Sequence, residues 1–226
     1  MPDDQNQPAT VEPVAPVGKT SMRLRADAIK AFRCRHLIAV IEEPSDIVNI
    51  ASIIRNVNAL GVEKVYVVDP RKTIPDDWQE FRQQKAMGKL SVSASKWSFV
   101  KRFDSTEECL AHLEAQGYSS IVTSPHVKGK LSVNLDEGDY TTQPKLAVWF
   151  GNESRGISPL AVERASMCVA IPMFGMVESF NLGTTSGIVL YEVTRQRRLY
   201  QSRFAKRGGR GIREVPLPTV MDTVVA

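Results

Sequence analysis

Short apolar runs alternate along this chain with stretches in which apolar residues recur at helical spacing. The apolar runs predict strands over 37–41, 65–68, 97–103, 118–123, 146–150 and 168–171. Helical spacing, as at Ile47, Ile50, Ile54 and Val57, predicts helices after the first strand, over 76–87 and over 181–199. Strands that alternate with helices favour a parallel sheet covered on both faces. The pattern therefore predicts an α/β fold with a mostly parallel sheet.

Local signals mark the ends of two more helices. Ser105 with Glu108 has the spacing of a capping box, and Gly117 ends the helix that this box opens. Ser158 is followed by Pro159, which is the pattern of an N-cap with proline in the first helical position. Helices are therefore expected over about 106–116 and from 159 onward.

Composition divides the chain into three parts. Residues 1–20 contain four prolines, three acids and few large apolar residues, so they are predicted to be a disordered segment. Residues 21–200 are predicted to form one domain that begins with a basic helix. Glycine, proline and basic residues over 201–226 predict a flexible basic tail.

Several classes of protein are disfavoured. No apolar run approaches the roughly 20 residues of a membrane span, and the N-terminus lacks the layout of a signal peptide, so we expect a soluble, cytoplasmic protein without a membrane partner. Neither the three cysteines nor the three histidines show metal spacing, so buried, reduced thiols and no metal are expected. Glu42-Glu43-Pro44 follows the first strand in place of a glycine-rich turn, which argues against a Rossmann dinucleotide site.

Basic residues are concentrated near the two ends of the chain. Residues 19–35 hold six Lys or Arg and one acid, and residues 195–213 hold eight Lys or Arg and no acid, although the net charge is only +4. The body is therefore acidic. Solvated ends without a partner are one interpretation. The other is a surface that binds phosphates when both ends fold to one side.

Three polar segments are candidates for a site: Asn49-Ile50-Ala51-Ser52-Ile53-Ile54-Arg55, Phe150-Gly151-Asn152-Glu153-Ser154-Arg155-Gly156, and residues 171–182. In the third, an apolar strand runs into a loop with Gly, Ser and Asn, and a long helix follows. α/β proteins bind small molecules at such strand–loop–helix junctions. The phosphate-cradling glycine pattern is missing, so the ligand is not expected to be an ordinary nucleotide.

In this order and spacing, the three segments resemble the motifs of the SpoU/TrmH family of SPOUT methyltransferases. The resemblance covers about residues 36–198. It implies S-adenosylmethionine as cofactor, methylation of an RNA ribose 2′-hydroxyl, a homodimer, and a C-terminal trefoil knot over about 121–190. The run Ile171–Asn181 looks closest to the TrmH group, which methylates guanosine 18 of tRNA.

The resemblance also implies which residues line the cofactor pocket. They come from three strand ends and from the third segment, whose loop would close over the cofactor. Gly151 and Gly156 would allow tight turns and a close approach of the ligand. The implied residues are Thr123, Phe150, Gly151, Asn152, Gly156, Ile171, Met173, Phe180 and Leu182.

The implied catalytic group comprises Arg55, Asn49, Glu153, Ser179 and Asn181. A guanidinium is always protonated in proteins, so we expect Arg55 to clamp an RNA phosphate while that phosphate, or water, takes the proton. Asn49 is expected to cap its helix and support the site, and Asn181 to cap the last helix. For Glu153, three roles stay open: ordering its loop, pairing with an arginine, or facing the positive charge of the cofactor.

Tight binding of RNA is expected to use basic residues at both ends: Arg23, Arg25, Lys30, Arg33, Arg35, Arg195, Arg197 and Arg198. Transfer RNA is the first expectation for the substrate and ribosomal RNA the second. Two rival functions stay open. One is a non-catalytic RNA-binding or assembly factor, and the other is a cofactor-binding domain that acts on a protein or a small molecule.

Overall fold

A parallel β-sheet forms the centre of the protein. The computed structural model describes residues 33–72, 74–75, 91, 94–126, 129 and 131–205, together with residues 24 and 80. Within these ranges the sheet has seven strands in the order β3-β2-β1-β6-β4-β7-β5, and neighbouring strands run parallel. The strands are β1 (Cys34–Glu42), β2 (Val62–Val68), β3 (Phe99–Phe103), β4 (Ser119–Thr123), β5 (Ser132–Asn134), β6 (Leu146–Phe150) and β7 (Met167–Ala170).

Helices cover both faces of this sheet, as the alternating pattern predicts. One face packs against α1 (Ile47–Ala59) and α4 (Leu182–Ala205), and the other packs against α2 (Thr106–Ala115) and α3 (Pro159–Arg164). A 3₁₀ helix, Ala94–Trp97, precedes β3. The predicted α/β class with a mostly parallel sheet is confirmed.

The two central strands are the most apolar ones because both of their faces are covered. Successive side chains of β1 point to opposite faces, so Ala39 and Ile41 contact the α1–α4 layer while Ile38 and Val40 contact the α2–α3 layer. The neighbouring strand β6 is buried at every position. Strands buried on both faces read as continuous apolar runs, which is why both were recognisable from the sequence.

Most predicted helix ends are confirmed. The Ser105 side chain accepts a hydrogen bond from the Glu108 amide at 3.1 Å, and Ser158 caps α3 in the same way. The chain leaves α2 through Gly117, whose φ of 74° favours glycine. At α1 the cap is Asp46, which accepts from the Val48 amide at 2.8 Å. The predicted capping role of Asn49 is therefore wrong, because this residue lies inside the helix.

Other boundaries differ from the prediction. The strand expected from residue 97 begins at Phe99, because the 3₁₀ helix occupies the preceding residues. β5 was not predicted, since three residues are too few for a recognisable pattern. α4 continues to Ala205, past the predicted start of a flexible tail at 201. The predicted helix over 76–87 and the segments 1–20 and 206–226 lie outside the described residues, apart from residue 80.

Helices α1 and α4 approach closely at two glycines of α4. A Cβ atom on Gly183 would lie 2.8 Å from the Ser52 Cβ, and Gly187 faces the Asn56 amide. Asn56 Nδ2 also donates to the Gly183 carbonyl at 2.8 Å. The glycine at 183 therefore permits tight packing of α4 against α1.

The order of strands brings distant parts of the chain to one edge. β6 lies between β1 and β4, and β7 lies between β4 and β5, so the carboxyl ends of β6, β4 and β7 are adjacent. Ligands bind outside the carboxyl ends of strands in open parallel sheets.

The implied trefoil knot stays a prediction. All three cysteines are buried and free, as expected, and none of the described helices has the length and apolarity needed to cross a membrane.

Candidate functional site

A cavity of about 500 Å³ opens at the carboxyl ends of β4, β6 and β7. Its walls come from three loops, 123–126, 151–157 and 171–182, and the start of α4 completes it. These loops follow the three strands whose ends the fold brings together. The cavity therefore lies where the sequence predicted a small-molecule site.

Glu153 is fixed at the wall of this cavity. Its Oε1 accepts from Asn49 Nδ2 at 2.7 Å, and its Oε2 accepts from the Ser45 amide at 3.0 Å and the Ser45 hydroxyl at 2.8 Å. Burial alone would raise the pKa of Glu153, but the hydrogen bonds from Asn49 and Ser45 outweigh it and lower that pKa. Of its three candidate roles, the contacts favour ordering of the loop.

Asn49 links the three motif segments. It donates to Glu153 in the second segment, while its Oδ1 accepts from Asn181 Nδ2 at 3.0 Å in the third. Asn181 Oδ1 in turn accepts from the Gly183 amide at 2.8 Å, which is the predicted cap of α4. Asn49 is buried, whereas Glu153 and Asn181 are exposed, so only the central amide of the junction is shielded from water. Asn49 thus joins the three segments, and its role in the site stays a prediction.

Asn152 closes the loop that carries Glu153. Its backbone N–H and C=O exchange hydrogen bonds of 2.9 Å with those of Gly156, and its Oδ1 accepts from the Ser154 and Arg155 amides. The side chain also donates to the Glu43 carbonyl at 2.6 Å. A Cβ atom on Gly151 would lie 2.6 Å from the Gly156 carbonyl oxygen, so only glycine fits beside this closed loop.

An ion pair at the cavity was not predicted from the sequence. The Arg155 guanidinium donates to the Glu43 carboxylate across 112 residues of chain. Glu43 has a φ of 46°, in the region that favours glycine. Its carbonyl is held by Asn152 and its amide donates to the Val68 carbonyl at 2.9 Å. The 151–157 loop and the end of β1 are thereby joined.

The predicted cofactor residues all line the cavity except Phe150. Phe150 is fully buried among core residues on the α1–α4 side, so it does not face the cavity. That part of the prediction is wrong, while the cofactor role of the other residues stays a prediction. The lining residues that were not predicted are Ser124, Pro125, His126, Ser154, Arg155, Ile157, Val169, Glu178, Thr185 and Val189.

The predicted catalytic residues divide into two groups. Glu153, Ser179 and Asn181 line the cavity. Asn49 does not line it but forms hydrogen bonds with Glu153 and Asn181. Arg55 is exposed on another side of α1 and does not line the cavity. Any role of Arg55 at the cavity therefore depends on a substrate, or a second subunit, that brings the two together.

The basic residues of α4 differ in their accessibility. Arg197 is 5% exposed, and it donates to the carbonyls of Tyr140, Gln143 and Pro144 at 2.7 to 2.9 Å. This burial contradicts its predicted role in RNA binding. Arg198 is partly buried and donates to the Leu60 carbonyl. Arg195 is exposed and pairs with Glu192 one turn earlier.

The basic residues near the N-terminus are described only in part. Arg33 donates to the Trp97 carbonyl at 2.8 Å, and Arg35 is exposed. Arg23, Arg25 and Lys30 lie outside the described residues. For Arg33, Arg35, Arg195 and Arg198, RNA binding stays a prediction.

Apolar side chains are exposed beside the cavity. Phe174 and Met176 are almost fully exposed, and Val177 is 64% exposed. On α4, Tyr191 is 60% exposed. A cluster of large exposed apolar residues on a folded protein marks a surface that binds another molecule.

The fold and the cavity together define an α/β protein with a small-molecule site at the carboxyl ends of adjacent parallel strands. Residues 36–191 match the model of a protein family described as the SpoU rRNA methylase family. The match covers more than half of the chain. The chain belongs to this family of methyltransferases.

Individual relatives carry more specific names. A tRNA (guanosine(18)-2′-O)-methyltransferase of Aquifex aeolicus is 32% identical over 73% of this chain and 72% of its own length. An Escherichia coli protein of the same name is 32% identical over 66% of this chain, which spans 58% of that relative. A Vibrio vulnificus 23S rRNA (guanosine-2′-O-)-methyltransferase is 28% identical over 76% of this chain and 64% of its own length.

Solved structures have the same architecture. The A. aeolicus TrmH/SpoU tRNA modifying enzyme superposes with a TM-score of 0.65 and 28% identity, over 79% of this chain and 85% of that one. The SpoU methyltransferase AviRb of Streptomyces viridochromogenes, solved with the cofactor AdoMet, has a TM-score of 0.57 and 27% identity, over 71% of this chain and 57% of that one.

Proposed function

We propose that this protein transfers a methyl group from S-adenosylmethionine to a ribose 2′-hydroxyl of RNA, with guanosine 18 of tRNA as the first candidate target. The observation that carries the proposal is the junction of Asn49, Glu153 and Asn181 beside the cavity. It joins the three motif segments in one place. The names of the Aquifex aeolicus and Escherichia coli relatives support the tRNA target.

The residues of the cavity fit S-adenosylmethionine. A volume of about 500 Å³ lies within the range of small-molecule sites. Ile171, Phe180 and Leu182 offer an apolar wall for an adenine ring, and Gly151 lines the same cavity. When bound, this cofactor supplies an electrophilic methyl group on a sulfonium cation.

The side chains around the cavity favour a cationic ligand. Hydrogen bonds from Asn49 and Ser45 keep the pKa of Glu153 low, so this residue stays ionised at neutral pH. Glu178 adds a second carboxylate at the wall, whereas Arg155 is paired with Glu43. The balance of charge at the wall is therefore negative, which suits a sulfonium group.

Arg55 would act on the RNA. Its guanidinium is exposed, and its planar fork could bind a phosphate through two parallel hydrogen bonds. Such a clamp would hold the neighbouring 2′-hydroxyl in place for the transfer, and positioning of this kind lowers the barrier. The phosphate, or a water molecule, then accepts the hydroxyl proton.

We also infer a homodimer in the cytoplasm, where RNA substrates of this kind occur. The exposed apolar residues Phe174, Met176, Val177 and Tyr191 support the dimer, because burying them against a second copy would remove them from water. Light scattering would detect a mass of twice 25.1 kDa. Replacing Phe174 and Met176 by serine should shift the mass toward one copy, whereas a monomeric wild-type protein would contradict the dimer.

Transfer of a labelled methyl group tests the proposed activity. The purified protein would be incubated with labelled S-adenosylmethionine and a tRNA transcript. A matched transcript carrying 2′-deoxyguanosine at position 18 offers no acceptor there. We expect label only in the first transcript, and mass spectrometry of the nucleosides should identify 2′-O-methylguanosine. Equal labelling of both transcripts would exclude this position.

Ribosomal RNA is the second candidate substrate, and the name of the Vibrio vulnificus relative favours it. Total rRNA from a strain without the gene would be used as acceptor beside total tRNA from the same strain. Labelling of rRNA alone would keep the chemistry and change the target. Binding of RNA without transfer to either pool would support the non-catalytic alternative.

A further inference from the structure

A second surface lies on the sheet face that carries α2, and it extends from the amino ends of the strands to Lys101 in the middle of β3. Lys64 and Lys101 belong to β2 and β3, and Phe99 is the first residue of β3. Tyr118 and Lys145 directly precede β4 and β6. We call these five residues the lysine–aromatic surface. They come from two pairs of neighbouring strands, β3 with β2 and β6 with β4, and β1 lies between the two pairs.

Each lysine of this surface lies over an aromatic ring. The Lys64 Nζ is 5.8 Å from the centre of the Phe99 ring, and the Lys145 Nζ is 5.6 Å from that of Tyr118. The Lys101 Nζ is 4.5 Å from the Phe103 ring. Phe99 is itself 53% exposed. The surface therefore presents three ammonium groups together with one exposed aromatic ring, that of Phe99.

A rigid aromatic layer supports the surface. The rings of Tyr66, Phe103 and His112 pack with centres 5.1 to 5.7 Å apart. Burial, together with the charges of Lys101 and Lys64, lowers the pKa of His112. The lysines therefore lie beside a packed layer of aromatic rings.

The charges of Glu63 and Glu108 act on this surface and offset those of the three lysines in part. Lys64 lies 3.7 Å from a Glu63 carboxylate oxygen, but that carboxylate also accepts from the His36 amide at 2.7 Å. In the part of the chain that the structure describes, neither Lys101 nor Lys145 pairs with a carboxylate, and Lys145 donates to the Gln116 carbonyl at 2.6 Å. The surface therefore complements a negatively charged partner.

We propose that the lysine–aromatic surface binds the RNA substrate, with the lysines on phosphates and Phe99 stacked on an unpaired base. Exposed rings beside basic side chains suit single-stranded nucleic acid, because every base has a face that can stack. The proposal rests on RNA being the substrate. This contact is separate from the cavity, since β6 places Lys145 about 20 Å from Gly151 at roughly 3.3 Å per residue. An RNA of tRNA size extends far beyond that distance.

Removal of the three charges tests the proposal. The full-length variant Lys64→Gln/Lys101→Gln/Lys145→Gln would be compared with the corresponding triple arginine variant, which keeps the charge. Filter binding of labelled total tRNA and total rRNA would be measured between 50 and 200 mM salt. The slope of log K against log salt should become shallower by about 2 to 3 in the glutamine variant, from roughly 0.7 to 0.9 per phosphate contact.

Several further readouts separate this contact from the catalytic site. We expect a KM for RNA at least about tenfold higher, with kcat at saturating RNA and the affinity for S-adenosylmethionine unchanged. Phe99→Ala should weaken RNA binding without changing the salt slope. This single variant tests the same surface if the triple variant fails to fold. Binding is measured without turnover, so failure of the proposed methylation would leave this test intact.

The proposal would be overturned if the glutamine variant and Phe99→Ala both bound RNA with the affinity of the wild type and the glutamine variant also kept the salt slope of the wild type. Failure of the wild-type protein to bind either RNA pool would overturn it too. Poly-glutamate serves as a probe for an acidic protein partner. If only its binding depends on the lysines, the surface binds protein and the proposal is wrong.

Discussion

Asn49 donates a hydrogen bond of 2.7 Å to Glu153, although 104 residues separate them in the chain. The contact joins α1 to the loop after β6. It also orients the other end of the Asn49 amide toward Asn181 at 3.0 Å. One buried amide thus sets the geometry of two loops of the cavity.

The lowered pKa of Glu153 predicts a dependence of stability on acid. A carboxyl whose pKa is lower in the folded protein stabilises it above the unfolded value of about 4.5, and this contribution is lost as the pH falls through the folded value. The midpoint of urea unfolding should therefore drop more between pH 6 and pH 3 in the wild type than in Glu153→Gln. Glu163→Gln, at an exposed position of α3, is the control. Equal drops in wild type and Glu153→Gln would contradict the prediction.

Arg55→Ala should abolish methyl transfer while leaving the cofactor bound. The side chain does not line the cavity, so calorimetry should find the affinity for S-adenosylmethionine unchanged. We expect kcat to fall by a factor of about 100 or more, because a positioning contact to the substrate is lost. Arg55→Lys keeps the charge without the planar fork and should recover only part of the rate. Weak cofactor binding by Arg55→Ala would assign this residue to the pocket instead.

Gly151→Ala should disturb the protein even without a ligand. The added Cβ would collide with the backbone of Gly156 and Ile157, so the loop must shift. We expect a loss of about 1–3 kcal/mol in the free energy of unfolding, as for other overpacked sites, and weaker cofactor binding. Gly175→Ala is the matched control, since no atom lies within 4 Å of the added Cβ. A wild-type melting temperature for Gly151→Ala would refute the close approach.

Truncation to alanine should destabilise the protein at Arg197 but not at Arg195. Arg197→Ala leaves three buried or partly buried carbonyls without their donor, and each unsatisfied group costs about 1–3 kcal/mol. Its unfolding midpoint should fall sharply. Arg195→Ala removes only an exposed pair with Glu192, so its midpoint should stay nearly unchanged. Thermal unfolding followed by circular dichroism distinguishes the two, and equal midpoints would contradict the structural role of Arg197.

The sequence predicted the strands and motif segments because local patterns encode them. β1 and β6 are continuous apolar runs, and the cap at Ser105 lies three residues from Glu108. The carboxyl ends of β4 and β6 were assigned to a site through the resemblance of the motif segments to a known family. These features depend on neighbours within one turn or one strand.

Two site contacts had no local signal. Ser45 and Glu43 reach the 151–157 loop across more than 100 residues, and no spacing announces such pairs. His126 lines the cavity because of where the loop after β4 turns, which its sequence does not reveal. Long-range side-chain contacts of this kind depend on the tertiary fold.

Two errors were avoidable from periodicity alone. Phe150 follows Val148 by two residues in β6, so both side chains point into the same buried layer. Arg197 lies four residues after Val193 and eight after Val189, both fully buried in α4. Helical spacing therefore placed Arg197 on the inner face, where an arginine needs internal acceptors.

The contacts of the buried Asn49 amide also determine when the cavity can form during synthesis of the chain. During synthesis α1 emerges early, but its partners Glu153 and Asn181 follow 104 and 132 residues later. Until then the amide can only be hydrated. Contacts of such long range form late in folding because a large loop must close first. A growing chain thus cannot acquire the cavity piece by piece, and it becomes competent to bind a ligand only after the start of α4 has left the ribosome.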